Sequence, residues 1–262
     1  MQTPSRWSLL KWQCRLTGVR GVATDLAVRM GRKLGNAPID DRFYDRRDSV
    51  FDRALGISTV GMRSVSEMEI PEDRRGHAVE YRSIAAAEVA AAIDALPLTS
   101  AERSAASFVD LGCGKGRAMV VAHRFGFAAV KGVELEPTLA EQACTNLAAV
   151  SPGPIDGEAA WEVTNGDATR FVFPRTPLVV YLFNPFSDEV LRPVLQNLEA
   201  DLAEHPRPCQ ILYANAVHSD IFGEEWAGSV SDDGWWAHFV WSRFTTPRPV
   251  ADVESRVLAG VA

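Results

Sequence analysis

From residue 107 onward the apolar positions of this 262-residue chain gather into short dense runs, separated by stretches in which they recur every three or four residues. Dense runs bounded by turn residues predict buried strands, and the sparser stretches predict helices with one apolar face. "SFVDLG" (Ser107–Gly112) reads as a first strand, followed by a helix over about Arg117–Phe125. "AVKGVEL" (Ala129–Leu135) reads as a second, and Pro137 suits the first turn of the next helix, where a missing N–H costs nothing. "WEVTNGD" (Trp161–Asp167) and "PLVVYLF" (Pro177–Phe183) supply a third and a fourth strand. A helix over about Asp188–Glu204 then leads to a fifth strand, "QILYANA" (Gln210–Ala216). Strands alternating with helices predict a doubly wound α/β sheet, mostly parallel, with right-handed crossovers. The last run, "WWAHFVWSRF" (Trp235–Phe244), alternates and has no crossover helix before it, which predicts an antiparallel C-terminal strand at the sheet edge.

Upstream the pattern changes character. A helix over about Ser83–Leu96 is predicted to stop at Pro97, and residues 35–82 read as an irregular charged arm whose Phe43, Tyr44 and Phe51 pack it over the main domain and its site. In residues 1–34, Val19, Val22, Ala23, Leu26, Met30 and Leu34 fall at helical spacing with Arg20, Arg29, Arg32 and Lys33 off that stripe. Such a basic amphipathic helix either docks on its own domain or touches an anionic membrane surface; an Arg-rich, acid-poor start also fits a mitochondrial presequence. This stretch holds seven Lys/Arg and one acid (Asp25), whereas the whole chain has a formal charge of −7. The remainder is therefore strongly acidic and unsuited to duplex nucleic acid. No apolar run is long enough to span a bilayer. Cys14, Cys113, Cys144 and Cys209 show no CxxC pair, so free thiols in a reducing cytoplasm are expected. The organisation expected is thus helix 1–34, arm 35–82, main domain 83–246 and tail 247–262.

The chemistry lies where the first strand meets its helix. "VDLGCGKGR" sets Gly112, Gly114 and Gly116 on a turn at the carboxyl end of the sheet, where open α/β sheets bind ligands. The spacing GxGxG, preceded by Asp110, is neither the dinucleotide fingerprint GxGxxG nor a phosphate loop. Asp110 to Gly116 resembles motif I of the class I S-adenosylmethionine-dependent methyltransferases, and the resemblance extends over roughly residues 80–244. It implies a Rossmann-like methyltransferase sheet that binds S-adenosyl-L-methionine. Glu134, at the end of the second strand, matches the acid that holds the ribose hydroxyls, and is better placed than Glu136 because the strand run finishes at Val133. Asp167 and the adjoining Ala168 match the position beside the adenine, and Tyr81 precedes the first helix of the domain. An NAD-binding fold is the rival reading. Cys113 reads as a packing residue, the five histidines show no metal spacing, and His218, after the fifth strand, is a weak candidate base.

"NPF" (Asn184–Phe186) closes the fourth strand, where the resembling family places its acceptor loop. An asparagine there offers a carbonyl that can hold an amine N–H, and an aromatic neighbour can cover the acceptor. Amino-methyltransferases carry Asn/Asp-Pro-Pro-Tyr/Phe at this point; here there is one proline. The region also resembles the non-SET lysine methyltransferases. Asn184 is therefore the expected catalytic residue, with Pro185 and Phe186 on the acceptor side. The acceptor expected is an amine nitrogen, of a protein lysine or a small metabolite, with a saccharide or nucleobase left open; the alternative is a regulator or scaffold that binds the cofactor and transfers nothing.

Overall fold

The computed structural model describes residues 49–151, 160–231 and 235–242. The basic stretch 1–34, Phe43, Tyr44 and the tail 247–262 lie outside the described residues. The chain opens with helical turns over residues 49–55 (α1), followed by strand β1 (Met62–Arg63), helix α2 (Glu72–Arg75), β2 (Tyr81–Arg82) and helices α3 (Ala86–Ala95) and α4 (Ser100–Ala105). The alternating unit follows: β3 (Ser107–Leu111), α5 (Arg117–Arg124), β4 (Ala129–Glu134), α6 (Pro137–Val150), β5 (Trp161–Asn165), β6 (Leu178–Phe183), α7 (Asp188–Glu204), β7 (Cys209–Ala214), β8 (Trp226–Val230) and β9 (Trp236–Trp241).

Seven strands form one sheet in the order β5-β4-β3-β6-β7-β9-β8. The first five are parallel, and β9 runs antiparallel to both β7 and β8. Side chains of a strand alternate between faces, and the core divides accordingly. Phe108, Tyr181 and Leu212 pack with α3, α5 and α6 on one face, while Val109, Val180 and Ile211 pack against α7 on the other. The strand order reverses where β3 lies between β4 and β6, so the ends of these strands open a crevice.

Three expectations need correction. Strand β9 is interior, because β8 pairs outside it as the edge. The run Trp226–Val230 is short and exposed beyond its first residues, so its hydrophobic pattern is faint. Its Gly228 is required by packing, since a Cβ there would come within 2.2 Å of the Phe239 ring. The third strand stops at Asn165, two residues before Asp167. Helix α4 went unpredicted although Thr99 and Glu102 spell its capping box, each side chain answering the other's backbone N–H.

The arm is fastened from below. Asp52 accepts from the Thr59 hydroxyl (2.6 Å) and pairs with Arg117 at the start of α5 (3.3 Å), whose guanidinium also donates to Thr59 Oγ1 (2.7 Å) and the Ile84 carbonyl (3.1 Å). Both charges are buried. Removing one partner of such a pair typically costs about 3–5 kcal/mol, because the other is left uncompensated. From this anchor the chain rises to pair β1 with β2 and passes over the carboxyl end of the sheet.

Candidate functional site

Gly112, Gly114 and Gly116 all take positive φ (77°, 52° and 78°), a conformation that other residues adopt only with strain. Space forbids a side chain at the first two as well. A Cβ on Gly112 would lie 2.4 Å from Pro185 Cβ, and one on Gly114 would lie 2.4 Å from the Tyr81 ring. The turn is tied to the end of β4: the Gly114 N–H donates to Glu134 Oε2 (2.8 Å), and the other oxygen accepts from Glu136 N–H (3.0 Å). Glu136 itself caps α6, accepting from Leu139 N–H and the Thr138 hydroxyl, so the two acids do different work. Gly116 does not line the cavity described next. It caps α5 from behind the turn, and its bare Cα admits Ala143 of α6.

A cavity of about 420 Å³ opens between this turn, the ends of β4, β5, β6 and β7, and the overlying arm. Tyr81, Asp110, Gly112, Gly114, Glu134, Asp167, Ala168, Asn184, Pro185 and Phe186 all line it. At one side Met68, Ile70 and Leu139 form a buried apolar cluster with Ala78, Tyr81 and Leu135 packed against it. The Tyr81 ring lies over Gly114, its hydroxyl donating to the Thr59 carbonyl (2.6 Å). Asp167 makes an ion pair with Arg74 of α2 (2.6 Å) and accepts from the backbone and hydroxyl of Thr169. Burial alone would raise the Asp167 carboxyl; the Thr169 donors and Arg74 outweigh it and hold it below its usual range.

Asp110 and Glu134 behave in the opposite way. Asp110 is 3% exposed and has no hydrogen-bond or ion-pair partner among the described residues. Burial, and then the neighbouring Glu134 charge, push its carboxyl well above the ordinary range. Burial also raises Glu134, opposed in part by the N–H groups of Glu136 and Gly114. A buried carboxylate with a half-buried one beside it, each raising the cost of ionising the other, favours positive charge nearby.

At the other side of the cavity, Asn184 and Asn215 end the adjacent strands β6 and β7, each in left-handed conformation (φ 38° and 49°). Tyr213 donates a long bond (3.5 Å) to Asn184 Oδ1, and burial pushes the Tyr213 phenol up to about 12, so it remains a donor. Phe183 and Trp235 meet edge to face with centroids 6.1 Å apart. Phe186 is mostly buried, and its backbone bridges to Ala78 of the arm, next to a bond from Ser187 N–H to the His77 carbonyl (3.0 Å). The loop after β6 is thus sewn to the arm. His218 does not line the cavity. Cys113 packs against Gly132 at the cavity wall, and burial raises its thiol well above the usual range, which disfavours the thiolate. Met68, Ile70, Arg74, Tyr181, Asn215 and Trp235 also line the cavity and were not anticipated.

Among solved structures, the chain is similar to a TehB-like SAM-dependent methyltransferase from Corynebacterium glutamicum, at 18% identity and a TM-score of 0.40, over 59% of this chain and 86% of that one. It is also similar to a ribosomal protein L11 methylase from Lactobacillus delbrueckii subsp. bulgaricus, at 14% identity and a TM-score of 0.41, over 59% of this chain and 75% of that one. An RNA methyltransferase from Salinibacter ruber in complex with S-adenosyl-L-homocysteine is similar at 19% identity and a TM-score of 0.36, over 58% of this chain and 90% of that one. No protein-family model and no curated protein matches the chain. At identities and TM-scores this low, the functional reading rests on the site's own residues.

Proposed function

We propose that this chain is an S-adenosylmethionine-dependent methyltransferase that acts on an amine nitrogen, of a lysine side chain or of a small metabolite. The observation that carries the reading is the buried Asp110, without a hydrogen-bond or ion-pair partner among the described residues, with Glu134 beside it and facing a glycine turn. A dinucleotide would bring its pyrophosphate charges against these two acids. S-adenosylmethionine brings an ammonium and a sulfonium, which relieve their repulsion, and a ribose diol that a carboxylate accepts as two hydrogen bonds. The apolar cluster of Met68, Ile70 and Leu139, beside Asp167, suits the adenine.

The amine assignment follows from charge. The arginines that line the cavity are all engaged: Arg74 with Asp167, Arg82 with Glu80, and Arg117 with Asp52. Among the described residues no lysine lines it either, so an anionic acceptor would find no unpaired cation from them. Asn184 Oδ1 keeps a lone pair beyond the long bond from Tyr213, and that lone pair can hold an amine N–H. Phe183 and Trp235 supply aromatic faces for an aliphatic stem or a cation. S-adenosylmethionine, when bound, supplies an activated methyl group on sulfur. The protein's part is to aim the nucleophile and exclude water, which calls for rigid strand ends rather than a catalytic triad.

The test is titration calorimetry with S-adenosylmethionine and S-adenosylhomocysteine, followed by mass spectrometry of amine acceptors incubated with the protein and S-adenosylmethionine. Wild type should bind both ligands and transfer methyl groups, whereas Gly114→Val should bind neither and keep its circular dichroism. Equal affinity in wild type and Gly114→Val would overturn the cofactor reading. Binding without transfer to any amine would overturn the acceptor reading.

A further inference from the structure

Strands β6 and β7 stay in parallel register up to the pair Phe183 and Ala214, so Asn184 and Asn215 follow directly at neighbouring strand ends. Adjacent strands lie about 4.8 Å apart, which brings the two asparagines within reach of one small group. Both are left-handed (φ 38° and 49°), an uncommon conformation outside glycine, and both line the cavity. Ala214 and Ala216, on either side of Asn215, are buried and do not line it, so Asn215 alone carries the end of β7 to the cavity. Its backbone carbonyl accepts from Val217 N–H (2.8 Å), while its side-chain amide has no partner among the described residues. Asn184 Oδ1 receives only the long Tyr213 bond and keeps a second lone pair.

The number of carbonyls matters to an amine. A neutral primary amine has two N–H groups and one lone pair. A single carbonyl leaves it free to turn about the one bond; two carbonyls hold both N–H groups and thereby direct the lone pair. A methylated amine has one N–H, so one of two amides goes unmatched. Amides suit this task better than carboxylates, which would stabilise the ammonium form and leave no lone pair to react.

We propose that Asn215 is a specificity residue for the acceptor, forming with Asn184 a two-carbonyl cradle that favours a primary amine over its methylated products. The inference rests on the amine reading above and deepens it, from any amine to a primary one. In the transfer, the amine lone pair forms the new N–C bond, and the C–S bond breaks with its electrons passing to sulfur. The secondary ammonium that results gives one proton to water. One N–H then remains for two carbonyls, so a second transfer is disfavoured.

The test titrates n-butylammonium and N,N-dimethylbutylammonium, followed by NMR, into full-length protein with S-adenosylhomocysteine present. The butyl stem suits the aromatic faces of Phe183 and Trp235. Wild type should bind the first probe roughly tenfold more tightly, since its extra N–H makes a second charge-assisted bond. Asn215→Gly keeps the φ and removes the amide, and should cut that preference to about twofold by weakening n-butylammonium alone. Asn215→Asp restores an oxygen and should recover the preference. Amine acceptors that wild type methylates should carry one methyl group in mass spectra. An unchanged preference in Asn215→Gly, no recovery in Asn215→Asp, or mainly dimethylated product would overturn the cradle and leave the amine reading standing. A lower melting temperature in Asn215→Gly with both affinities reduced would assign the residue to structure. If wild type bound neither probe, the amine reading would fall, and the cradle with it.

Discussion

The two halves of the crevice use the same backbone conformation for opposite ends. On the β3 side, left-handed residues are glycines, and the space a side chain would need is taken by Pro185 or Tyr81. On the β6 and β7 side, left-handed residues are Asn184 and Asn215, which keep polar side chains at the cavity. Asparagine tolerates this region better than other residues with a Cβ. The difference teaches how each half presents chemical groups. The glycine half brings backbone close to the cavity beside the acids Asp110 and Glu134. The asparagine half presents side-chain amides held at the ends of rigid strands.

Exchanging the two solutions breaks or sharpens that comparison. The largest effect is expected from Gly112→Asn. Asparagine accepts the φ, but its Cβ meets Pro185, so overpacking should cost about 1–3 kcal/mol of stability and abolish S-adenosylhomocysteine binding in calorimetry. Normal binding would mean that conformation alone, and not space, selects glycine there. The reciprocal change, Asn184→Gly, relieves the φ and loosens the unfolded chain, two effects of about 0.5–1 kcal/mol that nearly cancel. Urea melts should therefore barely move. Turnover of the amine acceptor should fall by about a hundredfold with cofactor affinity unchanged, the signature of a contact made in the transition state. Wild-type turnover would reduce Asn184 to a turn residue.

The smallest effect concerns pH. The native state raises Asp110 and Glu134, chiefly through burial. Between the unfolded carboxylate value of about pH 4 and these raised folded values, the native state binds more protons than the unfolded chain. The unliganded protein accordingly loses stability as pH rises through that window. A cationic ligand favours the ionised acids, so the melting-temperature gain from S-adenosylmethionine, with its sulfonium and ammonium, should grow from mildly acid to neutral pH, by a few degrees. A gain that shrinks with rising pH would show that the acids do not face the ligand's charge.

The sequence made some of this legible and hid the rest for physical reasons. The place of the glycine turn and Glu134 at the cavity could be read because both stand at the ends of dense apolar runs, and the turn's positive φ and lack of space demand glycine. The parallel core could be read because burial on both faces makes dense apolar runs. Tyr181 was hidden inside such a run, since "LVVYLF" gives no sign that one hydroxyl has no partner. The arm residues Met68, Ile70 and Arg74 reach the cavity through a path that no local pattern encodes. Strand β8 has too few buried positions to show a period. Asn215 did leave a signal: like Asn184, it follows an apolar run directly, and only Asn184 was taken up.

Pro185 seated against Gly112 has a consequence for how this site could change over generations. The ring has one backbone torsion frozen and touches a residue that has no side chain to yield. The β3 turn, the proline and the end of β6 form a stack without compliant parts, so the spacing between the glycine turn and the loop after β6 is set by van der Waals radii. Phe183, Asn215 and Trp235 line the same cavity outside that stack. Side chains can change at those three positions while that spacing stays constant, so what this side of the cavity accepts and how far apart its two walls stand are inherited as separable traits.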